Sequence, residues 1–318
     1  MANADKAPVI RRVAGTVSGA LGTIVAASFV IYAGLSMAPG DPVARILGAR
    51  ATDEARAAVR AQLGLDDPLL ERYWHWLIAA LRGDLGRSLT YRQDVTALLG
   101  PRLQTTLMLV AMAAALVLVV GIVAGVAGGV ARRGRPIVAT LVALGVAVPS
   151  FVAANALIGA FAVRLGWFPT YGAGDGFPDR IWHLTLPAIA LSIGYGAYVS
   201  QLTSAAVDEE SGKEYVETSR GRGIPAGIIV RRHVLRNAAL PVLTASGLAI
   251  AGLVSGTVVV EQAFGVDGVG ALLVQSISSK DYDVVTAVSL IIVVVFVVMT
   301  TMIDLVQVAL DPRERAGA

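Results

Sequence analysis

The chain has 318 residues, of which 55% are hydrophobic and 15% charged, against about 45–50% and about 25% in soluble domains. That balance excludes water as the main solvent. The 26 basic residues are nearly matched by 23 acidic ones, leaving a net charge of +3, which excludes a nucleic-acid partner. With no cysteine at all, a disulfide framework, a thiolate zinc site and a catalytic cysteine are excluded as well. His75, His183 and His233 stand too far apart for a local His-x-x-x-His clamp, so no metal site is expected.

Residues 1–13 read as a short N-terminal segment, followed by the first of six long windows free of Lys and Arg. These run over about 14–37, 105–130, 137–163, 182–206, 238–260 and 284–310. Each reaches the ~20 residues a helix needs to cross ~30 Å of hydrocarbon. A helix is the expected form because it satisfies every backbone group within the segment. The first window is longer than the about 7–15-residue apolar core of a cleaved signal peptide, so it is read as a retained span. Asp304 is the one acidic residue inside the windows, near the end of the sixth. Gly15 and Gly19, and Gly121, Gly125 and Gly129, recur at spacing four, which lets helix backbones approach closely. Pro149, Pro187 and Pro241 are expected to kink or end their helices.

Between the first two spans lies a long loop, 38–103, with two helical patterns. Thr52 can cap a helix over about Asp53–Leu63 that stops at Gly64. Asp67 followed by Pro68 reads as an N-cap with proline at the first helical position, opening a second helix to about Arg82. Leu69, Leu70, Tyr73, Trp74, Leu77, Ala80 and Leu81 give that helix one apolar face. It either lies on the bilayer or packs on the bundle, or else it touches substrate.

Basic residues set the orientation. Lys6, Arg11, Arg12, Arg132, Arg133, Arg135, Lys213, Arg220, Arg222, Arg231, Arg232, Arg236, Arg313 and Arg315 fall on one side. The short loops of the other side hold only Arg164, Arg180 and Lys280. Positive charge stays inside, so both termini are expected in the cytoplasm and the 38–103 loop outside. The core then runs over 104–310 with a cytoplasmic loop at 207–237, and 311–318 forms a cytoplasmic tail.

An enzyme needs reactive groups, and the spans supply few. Ser211-Gly212-Lys213 has no glycine loop before it, so ATP phosphates are not cradled here. Gly268-Val269-Gly270 lacks the third glycine and the preceding strand of a dinucleotide site. Ser255, between Gly252 and Gly256, has no histidine base in its own span or the next. No paired carboxylates lie within the windows to mark a proton path. An ion-coupled carrier that uses backbone carbonyls stays open, as does a scaffold or receptor with the 38–103 loop as its binding surface.

The cytoplasmic connection between the fourth and fifth windows reads Glu214 through Pro225, then a run in which Ile228, Ile229, Val234 and Leu235 alternate with Arg231, Arg232, His233 and Arg236. Gly223 and Pro225 break the helix twice within three positions. The pattern predicts a short helix across the inner end of the bundle, offering small residues and a basic rim.

Glu217-Thr218-Ser219, then Gly223 and later Leu240-Pro241, resembles the EAA loop of binding-protein-dependent ABC importer permeases, with Thr218 and Ser219 at the two alanine positions. Further motifs resemble the first permease subunit of the dipeptide/oligopeptide/nickel group. They are Pro39-Gly40-Asp41-Pro42, Leu63-Gly64-Leu65-Asp66-Asp67-Pro68, Arg82 through Ser88, Pro149-Ser150-Phe151, Glu261 through Gly265, Gly268-Val269-Gly270, Asp281-Tyr282 and Leu310-Asp311-Pro312-Arg313. They span nearly the whole chain in order.

The resemblance implies an all-α membrane protein with six transmembrane helices, the type I ABC importer permease fold, in a bacterial plasma membrane. Glu217, Thr218, Ser219, Arg220, Gly223, Ile224, Arg231 and His233 would dock the ATPase, the arginines acting either in docking or as orientation charges alone. Ser150, Asn155, Thr244, Ser246 and Ser255 are candidates for the translocation path or for bonds between helices. Glu261 and Phe264 belong to an outer turn that lines or covers that path. The implied partners are a second homologous permease, two ATP-binding subunits or one fused ATPase, an extracytoplasmic solute-binding protein and the lipid bilayer. ATP and Mg would sit on the ATPase subunits, with no cofactor on this chain. Short peptides are the expected cargo, with nickel or glutathione as alternatives.

Overall fold

Long apolar windows without backbone partners outside themselves can only coil, and the computed structural model is built from helices. It describes residues 7–37, Val43, Leu47, 52–62, 66–130 and 135–310. The expected features at 1–6, Pro39-Gly40-Asp41-Pro42, Leu63-Gly64-Leu65, Arg132-Arg133 and 311–318 lie outside the described residues. In chain order the helices are α1 (Ala7–Ser36), α2 (Asp53–Gln62), α3 (Leu69–Leu81), α4 (Val95–Val130), α5 (Arg135–Ala147) and α6 (Ser150–Leu157). They continue as α7 (Phe177–Ser211), α8 (Glu214–Gly221), α9 (Ala226–Ile229), α10 (Leu235–Phe264), α11 (Val269–Ser278) and α12 (Tyr282–Leu310). Wider π-helical turns extend α6 over Ile158–Arg164 and join α9 to α10 over Val230–Val234.

Among the described residues four stretches are long and apolar enough to cross a membrane: Val13–Ser36, Val95–Val130, Ala226–Phe264 and Tyr282–Val306. The third window is broken. Its two halves, Pro136–Ala147 and Ser150–Arg164, meet at 101° and make a fifth span if taken together. Pro149 sits at the break with no N–H to continue α5, and its carbonyl accepts from Val152 and Ala153 to start α6. Pro187 and Pro241 instead lie inside helices that run on through them.

The fourth window falls within α7, whose 35 residues reach about 50 Å at 1.5 Å per residue. Ser192, Tyr195, Tyr198, Ser200 and Thr203 dilute its apolar character. It tolerates them because it packs against α4, α5, α6 and α10, so protein rather than lipid surrounds much of it. The main core lies there, with Leu109 and Val117 of α4, Leu184 and Leu191 of α7, and Leu253 and Phe264 of α10 buried together.

Glycine spacing works on α4 and not on α1. A Cβ at Gly125 would stand 2.5 Å from the Thr203 Cβ and 2.7 Å from the Ser200 carbonyl oxygen, and one at Gly121 would stand 2.9 Å from the Gly196 oxygen. Gly129 presses on Val207 in the same way. Only hydrogen fits in this seam. Around Gly15 and Gly19 nothing lies within 4 Å.

The two helices expected between the first two windows are present. Thr52 Oγ1 accepts from Ala55 N at 3.3 Å to cap α2. At α3 the cap differs from expectation: Pro68 itself is the capping residue, its carbonyl accepting from Glu71 and Arg72. The α3 helix packs on α1, where Tyr73 OH meets Ser28 Oγ at 2.8 Å and Phe29 and Tyr32 surround its ring. Trp76 extends the stack onto Tyr32.

Candidate docking and translocation site

At one end of the bundle α8 is a two-turn helix whose single buried side chain is Val216. That residue joins Val207, Ile229, Val234 and Ala238 in a separate apolar cluster, with Val126, Ile224 and Leu235 around it. The cluster draws on α4, α7, α8 and the α9–α10 junction, so α8 is fastened to three parts of the bundle. Its C-terminus closes in a Schellman turn. Ile224 N donates to the Ser219 carbonyl at 3.2 Å and Gly223 N to that of Arg220 at 2.9 Å, with Gly223 at φ +75°. A side chain at that φ is strained, which is why glycine stands there. The space beyond it is open.

A polar network adds to this anchorage. Tyr215 OH donates to Glu210 Oε2 at 2.5 Å and accepts from Asn237 Nδ2 at 3.0 Å, tying α8 to the end of α7 and to the first turn of α10. Lys213 pairs with the other Glu210 oxygen. Burial pushes the Glu210 carboxyl up, but hydrogen bonds from Lys213 and Tyr215 and the lysine charge outweigh it, leaving the pKa below its ordinary value. Burial and the carboxylate beside it push the Tyr215 hydroxyl up.

The sequence-predicted docking residues lie together on this platform. Glu217, Thr218 and Arg220 are exposed on α8, Arg231 is exposed on the π-helical turn, and Gly223 is exposed between them. Ser219 and Ile224 are half-buried, Ser219 Oγ donating to the Tyr215 carbonyl at 2.7 Å. His233 is half-buried, its ring 6.5 Å from that of Tyr215.

Candidates for the path separate into two sets. Asn155, Thr244 and Ser255 are exposed and Ser150 is half-buried. On α10 the exposed positions Leu240, Thr244, Leu248, Ser255, Val259 and Gln262 recur at three, four and seven residues, so they share one face. Ser246, Glu261 and Phe264 are buried in the chain and reach no surface. Asn155 and Thr244 satisfy themselves on their own helices, at the carbonyls of Phe151 and Leu240.

Glu261 braces the opposite end of the bundle. Its Oε1 accepts from Thr106 Oγ1 at 2.6 Å and its Oε2 from Ala271 N at 3.0 Å, while Thr106 Oγ1 accepts from Val269 N at 2.9 Å. The carboxylate thus caps the N-terminus of α11. Gly268 and Gly270 leave room for it: a Cβ on either would crowd the carboxylate, and at Gly270 would also stand 2.6 Å from the Val258 Cα.

A second contact explains two more of the sequence motifs. Asp281 Oδ2 accepts from Ser88 Oγ at 2.6 Å and Thr90 N at 3.0 Å, seating the tight turn after Arg82-Gly83-Asp84 on the start of α12. Among the described residues no group of three His, Asp or Glu side chains is placed to hold a metal ion.

Sequence reasoning missed Glu210, Tyr215, Asn237 and Thr106. Their roles depend on partners 5, 22 and 155 residues away, and no local spacing signals such pairs.

Known proteins share this architecture. Residues 117–316 match the family described as binding-protein-dependent transport system inner membrane component, and residues 8–110 match the N-terminal component of such transport systems. The chain is 33% identical over 309 residues to the glutathione transport system permease protein GsiC of Escherichia coli K12, covering 96% of this chain and 98% of that protein. A Brucella ovis protein provisionally named as a peptide permease is 35% identical over 303 residues, covering 92% of this chain and 95% of its own. The inward-facing MetNI methionine ABC transporter shares the fold with a TM-score of 0.57 at 20% identity, covering 67% of this chain and 96% of that one. The chain belongs to the family of binding-protein-dependent transport system inner membrane components: it is a multi-pass plasma-membrane permease of the dipeptide/oligopeptide/nickel group of ABC importers, not an enzyme, and ATP hydrolysis lies in separate subunits.

Proposed function

We propose that this chain is the first of two homologous permease subunits and carries short peptides inward by alternating access. The α8 platform carries the reading: an exposed helix on a base fastened to α4, α7 and α10 is suited to receive a push and pass it on. In this reading two ATP-binding subunits, or one fused ATPase, seat on Glu217, Thr218, Ser219, Arg220, Gly223, Ile224, Arg231 and His233, with ATP and Mg between them. Six helices cross the bilayer, α7 and the α5–α6 pair included, with both termini and α8 in the cytoplasm and α2, α3 and α11 outside. A solute-binding protein delivers cargo to that outer side. The exposed faces of α6 and α10, with Ser150, Asn155, Thr244 and Ser255, line the path against the second permease. Ser246, Glu261 and Phe264 support the walls from within.

A coupling segment can drive such a switch only if its partner binds the two states with different affinity. The test is uptake by the assembled complex in proteoliposomes, with labelled dipeptide, glutathione and nickel offered through the binding protein. ATP-dependent peptide uptake is expected. Uptake by the purified chain alone, driven by an ion gradient, would overturn the reading, and ATP-dependent uptake of nickel but no peptide would replace the cargo.

A further inference from the structure

We infer that α10 is a transmission rod pinned by a polar bond at each end, and that Tyr215 at the inner end and Thr106 at the outer end are positioning residues that couple ATP hydrolysis to cargo movement. The inference rests on the proposed function, since it needs an ATPase seated on α8. Inner and outer pins sit on one continuous helix, Leu235–Phe264. Asn237 in its first turn donates its Nδ2 hydrogen to the Tyr215 hydroxyl, which itself donates to Glu210 of α7. Glu261 in its last turn takes the Thr106 hydroxyl of α4 and the N-terminus of α11. The 24 rises from Asn237 to Glu261 span about 36 Å at 1.5 Å per residue.

Both pins combine one hydroxyl with one carboxylate. Tyr215 OH donates to Glu210 and accepts from Asn237, and Thr106 Oγ1 donates to Glu261 and accepts from Val269 N. Each hydroxyl therefore links three elements with its single proton and its lone pairs. Removing it leaves a carboxylate short of a donor without emptying space. The outer pin is fully buried at Glu261 and nearly so at Thr106, where an unmatched polar group is most costly. A rigid helix held in this way moves α11 whenever α8 displaces its inner end. With either pin loosened, α8 is free to shift while α11 stays in place.

The experiment uses the full complex in proteoliposomes and reads cargo transported per ATP hydrolysed, alongside recovery of the ATPases with the permease. Tyr215→Phe and Thr106→Val each delete one hydroxyl at nearly constant volume, and Thr106→Ser retains it. Each deletion is expected to lower the transport ratio about fivefold, as for one lost hydrogen bond, with the ATPases recovered as before and Thr106→Ser behaving like the unaltered chain. Sites this far apart ordinarily act additively. On a single rod the double variant should fall no further than either single one. An unchanged ratio in either variant, a multiplied loss in the double variant, or a defect in Thr106→Ser equal to that of Thr106→Val would overturn the inference and leave the proposed function standing. Loss of the ATPases from Tyr215→Phe alone would place Tyr215 in docking itself and overturn it too. Failure of the unaltered chain to recover any ATPase would overturn the functional reading along with it.

Discussion

Gly223 has two separable properties: its left-handed backbone and the empty space beside it. Asparagine tolerates that conformation far better than a β-branched residue does. Gly223→Asn should therefore keep the turn, while Gly223→Val should lose about 1–2 kcal/mol locally and weaken recovery of the ATPases. Gly223→Asp keeps a residue that tolerates the turn but sets a negative charge on the proposed docking surface, so it should leave the protein inserted and abolish uptake. Co-purification and thermal melting in detergent separate the backbone effect from the surface effect. The neighbouring network makes a prediction about pH. Glu210 titrates below its ordinary 4.5, so its contribution is in place above that value and is lost as pH falls through the lowered one. Tyr215 titrates above its ordinary 10.0, so its contribution holds below that value and is lost as pH rises through the raised one. Melting temperature against pH should decline at both extremes, and Tyr215→Phe should remove the alkaline decline attributable to this hydroxyl.

Between elements, the α4–α7 seam is the most sensitive to added volume. Gly125→Val forces a side chain into Thr203 and the Ser200 carbonyl, which should cost at least about 1–3 kcal/mol and sharply reduce the yield of folded protein. Gly15→Val or Gly19→Val, with open space around them, should be tolerated, and expression in membranes measures both. This contrast shows where sequence reading stops. Spacing four marks which helices can approach, but the partner is chosen by the fold, and α1 presents its glycines to no neighbour among the described residues. The caps of α2 and α3 show the same limit. Thr52 was legible because an N-cap acts within three residues, whereas the preference for Pro68 over Asp67 as the α3 cap turned on a detail of one turn. Pro149, Pro187 and Pro241 looked alike in sequence, yet only Pro149 breaks its helix. Charge-free windows found four of the long apolar helices, and a fifth where α5 and α6 are taken together, because the bilayer acts on composition, which is local. The Glu261 clasp escaped because a carboxylate that caps a helix from ten residues upstream has the same local surroundings as one facing cargo. Its burial distinguishes the two.

For the whole molecule, the absence of cysteine makes topology directly measurable. Tyr171→Cys, on the exposed turn before α7, should react with a membrane-impermeant maleimide in intact cells. Ala226→Cys, at the start of α9, should react only after the membrane is opened. The opposite pattern would invert the bundle and remove α8 from the compartment that holds ATP.

The close approach of α4 and α7 has a further consequence for how such a carrier moves. A boundary that cannot admit one methyl group cannot part to let cargo through without first unpacking its whole length. In the proposed transport cycle these two helices would travel as one body, a keel, and a widening cleft would open along the flank of the molecule where α6 and α10 present their uncovered sides.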